Sequence, residues 1–153
     1  MPRLTIALVH PEIPHNTGAI GRTCVALDAQ LALIRPYGFT LSDRQLQRAG
    51  LDYWPHVQLG EYADWDAFLA ARNPRPGQMF LFEDDAPRSF YEPDYPADAI
   101  LVFGSETSGL PQAIRERHAE QMVHLPMRSQ HIRSLNLANT ATAAAYQAMR
   151  GKF

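Results

Sequence analysis

The chain reads as an α/β protein built on a mostly parallel sheet with helices on both faces. Short apolar runs at Thr5 to Val9, Leu31 to Ile34, Met79 to Phe82 and Ile100 to Phe103 have the near-continuous hydrophobicity of strands buried on both sides. Segments with helical apolar spacing alternate with them, which is the pattern of a parallel sheet with crossover helices. At 153 residues and 46% hydrophobic content, the chain fits one domain, residues 1–153, with a core that needs no disulfide staples.

Taken in order, Thr5 to Val9 is stopped by His10-Pro11, and the loop PEIPHN follows. Asn16 is placed to cap a helix from Thr17 to about Leu27, with Ile20, Cys24, Val25 and Leu27 on its apolar face and Arg22 on its second turn. The lone cysteine, Cys24, falls inside that apolar pattern and reads as a small buried hydrophobe. Leu31 to Ile34 ends at Pro36, and Ser42 with Gln45 forms a capping box for a short helix closed by Gly50. Trp54 to Leu59 has no decisive pattern. Asp64 caps a helix carrying Trp65, Phe68 and Leu69, ended by Asn73-Pro74. Glu83-Asp84-Asp85 follows the strand ending at Phe82, and proline-rich loop runs to Asp98. Ile100 to Phe103 leads into Gly104 to Pro111, with Pro111 suited to the first turn of a helix from Gln112 to His118. A strand from Met122 to Leu125 is stopped by Pro126, and a polar loop, RSQHIRSLN, hands over to an alanine-rich helix from Leu137 to about Gly151.

No apolar run is long enough to span a membrane, and the N-terminus lacks a signal peptide's apolar core, so a cytoplasmic location is expected. The six histidines form no i, i+4 pair on a helix and there is no second cysteine, so no metal site is expected. A net charge of -2 argues against a surface that is basic throughout but leaves room for local patches. Arg115 and Arg117 suit a solvated helix face, while Arg44, Arg48, Arg128 and Arg133 are candidates for phosphate contacts.

Chemistry concentrates in three stretches. Asn16 to Arg22, NTGAIGR, opens a helix with small residues, so it is either an anion site with Arg22 as a charged donor or a plain helix cap. Gly104 to Pro111, GSETSGLP, lets a ligand lie against backbone beside the acceptor Glu106, or is simply a tight strand-to-helix turn. It lacks the lysine of a phosphate-gripping loop, and a ligand with a purine and an amine or sulfonium suits it better than a triphosphate. His124 to Tyr146 packs a strand end, a polar loop and a helix entry into one run, where α/β proteins usually bind ligands. Ala138, Ala141, Ala145 and Ala148 recur at helical spacing, a signal of close packing within or between subunits.

In that order and spacing the three stretches resemble the three motifs of the SpoU branch of the SPOUT RNA 2'-O-ribose methyltransferases. With HPEIPHNTG, RPYGF and RAGLDYW and no room for an added RNA-binding domain, the chain looks most like the small type that methylates the wobble nucleotide of certain leucine tRNAs. The resemblance implies a C-terminal trefoil knot, which no periodicity indicates. It also implies a homodimer, with S-adenosyl-L-methionine as methyl donor, S-adenosyl-L-homocysteine as product, and the tRNA anticodon stem-loop as partner. Carried over by position, Phe82, Gly104, Glu106, Leu125, Met127, Ser134 and Leu135 line the cofactor pocket, and Asn136 braces the loop. Arg22, Ser134 and Tyr146 face the ribose. In a mildly acidic chain the grouped arginines predict RNA binding in a cleft across two subunits, with Arg44, Arg48, Arg128 and Arg133, and Asn16 is a further substrate-binding candidate. The sequence departs from the family's usual residues at Ala19, Ser108 and Gln147. Ser108 removes a basic group from the second motif, and Gln147 cannot act as a base. The competing expectations are a 2'-O-methyltransferase for another tRNA or ribosomal RNA site, and an RNA-binding relative that has lost catalysis.

Overall fold

The computed structural model describes residues 2–40 and 52–153. Within them, β1 (Thr5–Val9), β2 (Gln30–Ile34), β3 (Gln58–Tyr62), β4 (Met79–Phe82), β5 (Ile100–Phe103) and β6 (Met122–Val123) form one sheet in the order β3-β2-β1-β5-β4-β6. Every pairing is parallel, with Ala7 opposite Ala32 on one side and Val102 on the other. The crossover segments include helices α1 (Pro14–Ala26), α2 (Trp65–Arg72) and α3 (Gln112–Arg117), and α4 (Leu137–Ala148) follows β6.

The two-residue alternation of the strands divides the core between the sheet's two faces. Ile6, Leu8, Leu31, Leu33, Leu101 and Phe103 pack with Ile20 and Cys24 of α1 and with Ala141, Ala144 and Ala145 of α4. Ala7, Val9, Ala32, Ile34, Ile100 and Val102 pack with Trp65 and Phe68 of α2 and Ile114 of α3. Helices therefore cover both faces. Cys24 is fully buried, and burial pushes its thiol up to about 12, so it behaves as the small hydrophobe expected.

Several boundaries differ from those the sequence suggests. Helix α1 starts at Pro14, two residues before Asn16, because proline's fixed φ and missing N–H suit a first helical turn. Its cap residue is Ile13, with no side-chain cap of its own, and Arg22 lies on the third turn rather than the second. Trp54–His56 is a 3-10 turn, and β3 behind it is an edge strand paired only with β2, which explains its half-polar sequence QLGEY. Pro111 is the cap residue of α3 rather than part of its first turn, and β6 stops at Val123, with His124 adding only an isolated bridge to Ser89. The helix expected between Ser42 and Gly50 lies outside the described residues.

Asp64 caps α2 as expected, its carboxylate accepting from the Ala67 N–H at 2.8 Å, and Asn73 closes the helix at φ 41°. Among the described residues no helix is long and apolar enough to cross a membrane. After β6 at the sheet edge, residues 124–136 carry the chain back to α4, which packs against α1 and β5 near the centre.

Phe103 is 2% exposed and stacks on Phe82 with ring centroids 4.7 Å apart, so Phe103→Ala is expected to cost about 3–5 kcal/mol of stability. Asp64→Ala removes one cap and is expected to cost about 1 kcal/mol. Urea denaturation of both variants reads the two losses, and an equal effect would contradict this division between core and cap.

Candidate active site

The loops after β1, β5 and β6 all leave the carboxyl ends of parallel strands and meet on that end of the sheet. The first junction joins the loop after β1 to the loop after β5. Glu106 Oε2 accepts from the backbone N–H of Glu12 at 2.9 Å and of Ile13 at 3.2 Å. Glu12 returns the contact, its Oε1 accepting from the Thr107 N–H at 3.2 Å and the Thr107 hydroxyl at 2.6 Å. These Thr107 donors hold the Glu12 carboxyl below its usual range. Glu106 thus caps α1 from 93 residues away, placing negative charge at the positive end of the helix. Among the described residues its other oxygen, Oε1, is buried without a partner.

The second junction joins α1 to the loop before α4. Asn136 Oδ1 accepts from the Asn139 N–H at 3.1 Å, capping α4, while its Nδ2 donates to Asn16 Oδ1 at 3.1 Å. Asn16 therefore does not cap its own helix; it lies buried in the first turn and receives the third motif. Further along, the hydroxyls of Thr23 and Thr142 meet at 2.7 Å between the helices. The buried stripe Ala138, Ala141, Ala144, Ala145 and Ala148 lets the α4 backbone approach this closely.

The second motif is held from beneath. Gly109 sits at φ 69°, and a Cβ there would lie 2.8 Å from Glu83 Oε1. A Cβ on Gly104 would lie 2.1 Å from the Gly109 carbonyl carbon, so both glycines are required by the loop's own closure. Glu83, at the end of β4, accepts from the Leu110 N–H at 2.5 Å and faces Arg115 at 3.6 Å. Burial pushes its carboxyl above the ordinary carboxylate range, with Leu110 and Arg115 opposing. Sequence reasoning missed this residue, although an acid directly after an all-apolar strand is a recognisable signal.

The remaining candidates divide by exposure. Phe82 is buried between Phe103 and Phe90, so its ring belongs to the core and its backbone ends the strand at the site. Leu125 and Met127 are half-buried, while Ser134, Leu135, Arg128 and Arg133 are exposed on the loop before α4. Tyr146 is exposed beside a recess of about 460 Å³ shared with Tyr91, Arg150 and Phe153. Arg22 is exposed on α1, over the ring of Tyr53, a residue not singled out from the sequence. Arg44 and Arg48 lie outside the described residues. Arg115 and Arg117, expected on a solvated face, pair with Asp85 at 2.7 Å and Asp66 at 2.9 Å. A cleft of about 850 Å³ lies over the ends of β2, β1 and β5, between His10, Tyr37, Ser108 and Arg115. None of the cofactor candidates lines it, so the junctions, rather than this larger cleft, mark the candidate site.

The model of the SpoU rRNA methylase family matches residues 3–146, and the chain belongs to that family. The chain is 46% identical over 146 residues to the tRNA (cytidine(34)-2'-O)-methyltransferase of Burkholderia cenocepacia, covering 95% of this chain and 93% of that protein. A solved structure described as giving insights into the 2-OH methylation of C/U34 on tRNA superposes with a TM-score of 0.85 at 42% identity, over 97% of this chain and 95% of that one. The SpoU methyltransferase AviRb from Streptomyces viridochromogenes, solved with AdoMet, superposes with a TM-score of 0.81 at 26% identity, over 98% of this chain and 60% of that one.

The raised Glu83 carboxyl sets a signed pH dependence. The folded chain holds this proton more tightly than the unfolded chain, so the associated stability is complete below the ordinary value of 4.5 and is lost as pH rises through the raised value. Relative to Glu83→Gln, the wild-type protein is expected to lose stability with rising pH across that interval. Denaturation of both at a series of pH values checks it, and a difference that stays flat or grows with pH contradicts it.

Proposed function

We propose that this chain transfers a methyl group from S-adenosyl-L-methionine to the ribose 2'-hydroxyl of the wobble nucleotide of tRNA, position 34, as its relatives' names describe. The observation that carries this reading is the pair of side-chain junctions, Glu106 to Ile13 and Asn136 to Asn16, which gather all three motifs at the carboxyl end of the sheet. The finer reading is a cytidine or modified uridine in leucine isoacceptors, with the anticodon stem-loop as partner.

The residues present fit the methyl donor. Glu106 Oε1 is a buried acceptor in need of a donor, and Leu125, Met127 and Leu135 supply apolar surface beside Ser134. When bound, S-adenosyl-L-methionine supplies an activated methyl on sulfonium and leaves as S-adenosyl-L-homocysteine. The protein's work is then to align the ribose oxygen and accommodate its lost proton. Arg22 stays protonated, so it does not take that proton. It holds the oxygen or an adjacent phosphate and stabilises developing negative charge, while the proton leaves to phosphate or water. Ser134 and Tyr146 present hydroxyls toward the ribose.

The chain acts as a homodimer in the cytoplasm, with its C-terminal part tied in a trefoil knot. Exposed Tyr91 and Phe153, side by side at the end of α4, support a self-association face. The return of the chain from edge strand β6 to central α4 agrees with the knotted path. Arg128 and Arg133, with Arg44 and Arg48, contact RNA phosphates across the two subunits.

Transfer of labelled methyl from S-adenosyl-L-methionine to tRNA tests this reading. The wild-type chain labels tRNA, while Arg22→Ala is expected to lower kcat at least about 100-fold. Calorimetry with that variant should still give cofactor binding at wild-type affinity. An active Arg22→Ala, or one unable to bind cofactor, rejects the assigned role, and a wild-type chain that labels no tRNA rejects the function.

A further inference from the structure

Arg22 stands on the exposed side of α1 with its guanidinium carbon 5.4 Å from the centroid of the Tyr53 ring. Among the described residues it makes no ion pair, whereas Arg35, Arg75, Arg115 and Arg117 are each held by a carboxylate. Tyr53 is itself anchored to the same helix. Its hydroxyl donates to the Gly18 carbonyl at 2.8 Å, one helical turn before Arg22. The next residue, Trp54, presses so closely on α1 that a Cβ at Gly21 would lie 2.7 Å from its ring. Burial raises the Tyr53 hydroxyl above its ordinary value, with the Arg22 charge opposing, so it remains a neutral donor near neutral pH.

A carboxylate could also fix a guanidinium, but it would occupy N–H donors and offset the charge. An aromatic face attracts the cation through the ring quadrupole and consumes no donor. Arg22 is thereby oriented while its donors and full charge stay available to an anionic or oxygen-rich ligand. We infer that Tyr53 is a positioning residue for Arg22: its ring holds the guanidinium over α1 in the orientation used on RNA, and its hydroxyl locks that ring to the helix. This rests on the role proposed above for Arg22. The ring is the essential part, and the hydroxyl bond is secondary.

Steady-state methyl transfer by Tyr53→Phe, Tyr53→Leu and Arg22→Ala tests the assignment, with cofactor affinity and thermal unfolding measured alongside. Tyr53→Phe keeps the ring and is expected to hold kcat within about twofold of wild type. Tyr53→Leu loses it and should lower kcat about fivefold with unchanged affinity for S-adenosyl-L-methionine. A second ring-free variant, Tyr53→Met, is measured in the same way and stands in should Tyr53→Leu fail to fold. Ring-free variants with wild-type kcat overturn the inference, as does a Tyr53→Phe as impaired as they are, because the effect would then lie in the hydroxyl. If Arg22→Ala is inactive while the ring-free variants are fully active, only the inference about Tyr53 falls. If Arg22→Ala itself is fully active, the role of Arg22 falls and takes this inference with it.

Discussion

Two glutamates, each accepting hydrogen bonds from the other's loop, hold the candidate site together. Glu106 satisfies the backbone N–H groups of Glu12 and Ile13, and Glu12 satisfies the backbone and hydroxyl of Thr107. The helix start at Pro14 leaves α1 without a side-chain cap of its own, so its N-terminus depends on a residue from the loop after β5. The same contact sets where Asn16 lies, and Asn16 in turn receives Asn136 at the head of α4.

Much of the architecture was legible because the buried strands are apolar on both faces. TIALV, MFLF and ILVF admit few other readings in a chain with intervening helical segments. QLGEY was not legible, since an edge strand half in solvent carries no such run. Nor does any local pattern specify that β5 sits between β1 and β4, because strand order depends on crossovers rather than on the strands' own composition. Asn16 shows the limit most clearly. As a residue type it suits a cap, yet its partner lies 120 residues away and is invisible to local reading. The three motif positions came from resemblance, and the structure supplies the contacts that join them. Glu83 and Tyr53 came from the structure alone, because each acts on a loop or helix distant in sequence.

The distribution of ion pairs reconciles a net charge of -2 with the RNA substrate proposed above. Arginines at 35, 75, 115 and 117 are paired with carboxylates. Among the described residues, Arg22, Arg72, Arg88, Arg128, Arg133 and Arg150 form no such pair. Arg22 lies on α1, and Arg128 and Arg133 lie on the loop that leads into α4. Positive charge is therefore left uncompensated along the elements that carry the first and third motifs, where the proposed phosphate contacts would use it.

Nucleoside mass spectrometry of individual tRNAs, purified from cells with and without the gene, tests the central claim most directly. Ribose 2'-O-methylation at position 34, the site named for the relatives, is expected to disappear from one or more tRNAs and to return when the gene is restored. Unchanged methylation at that position, or a loss confined to other nucleotides, would contradict it.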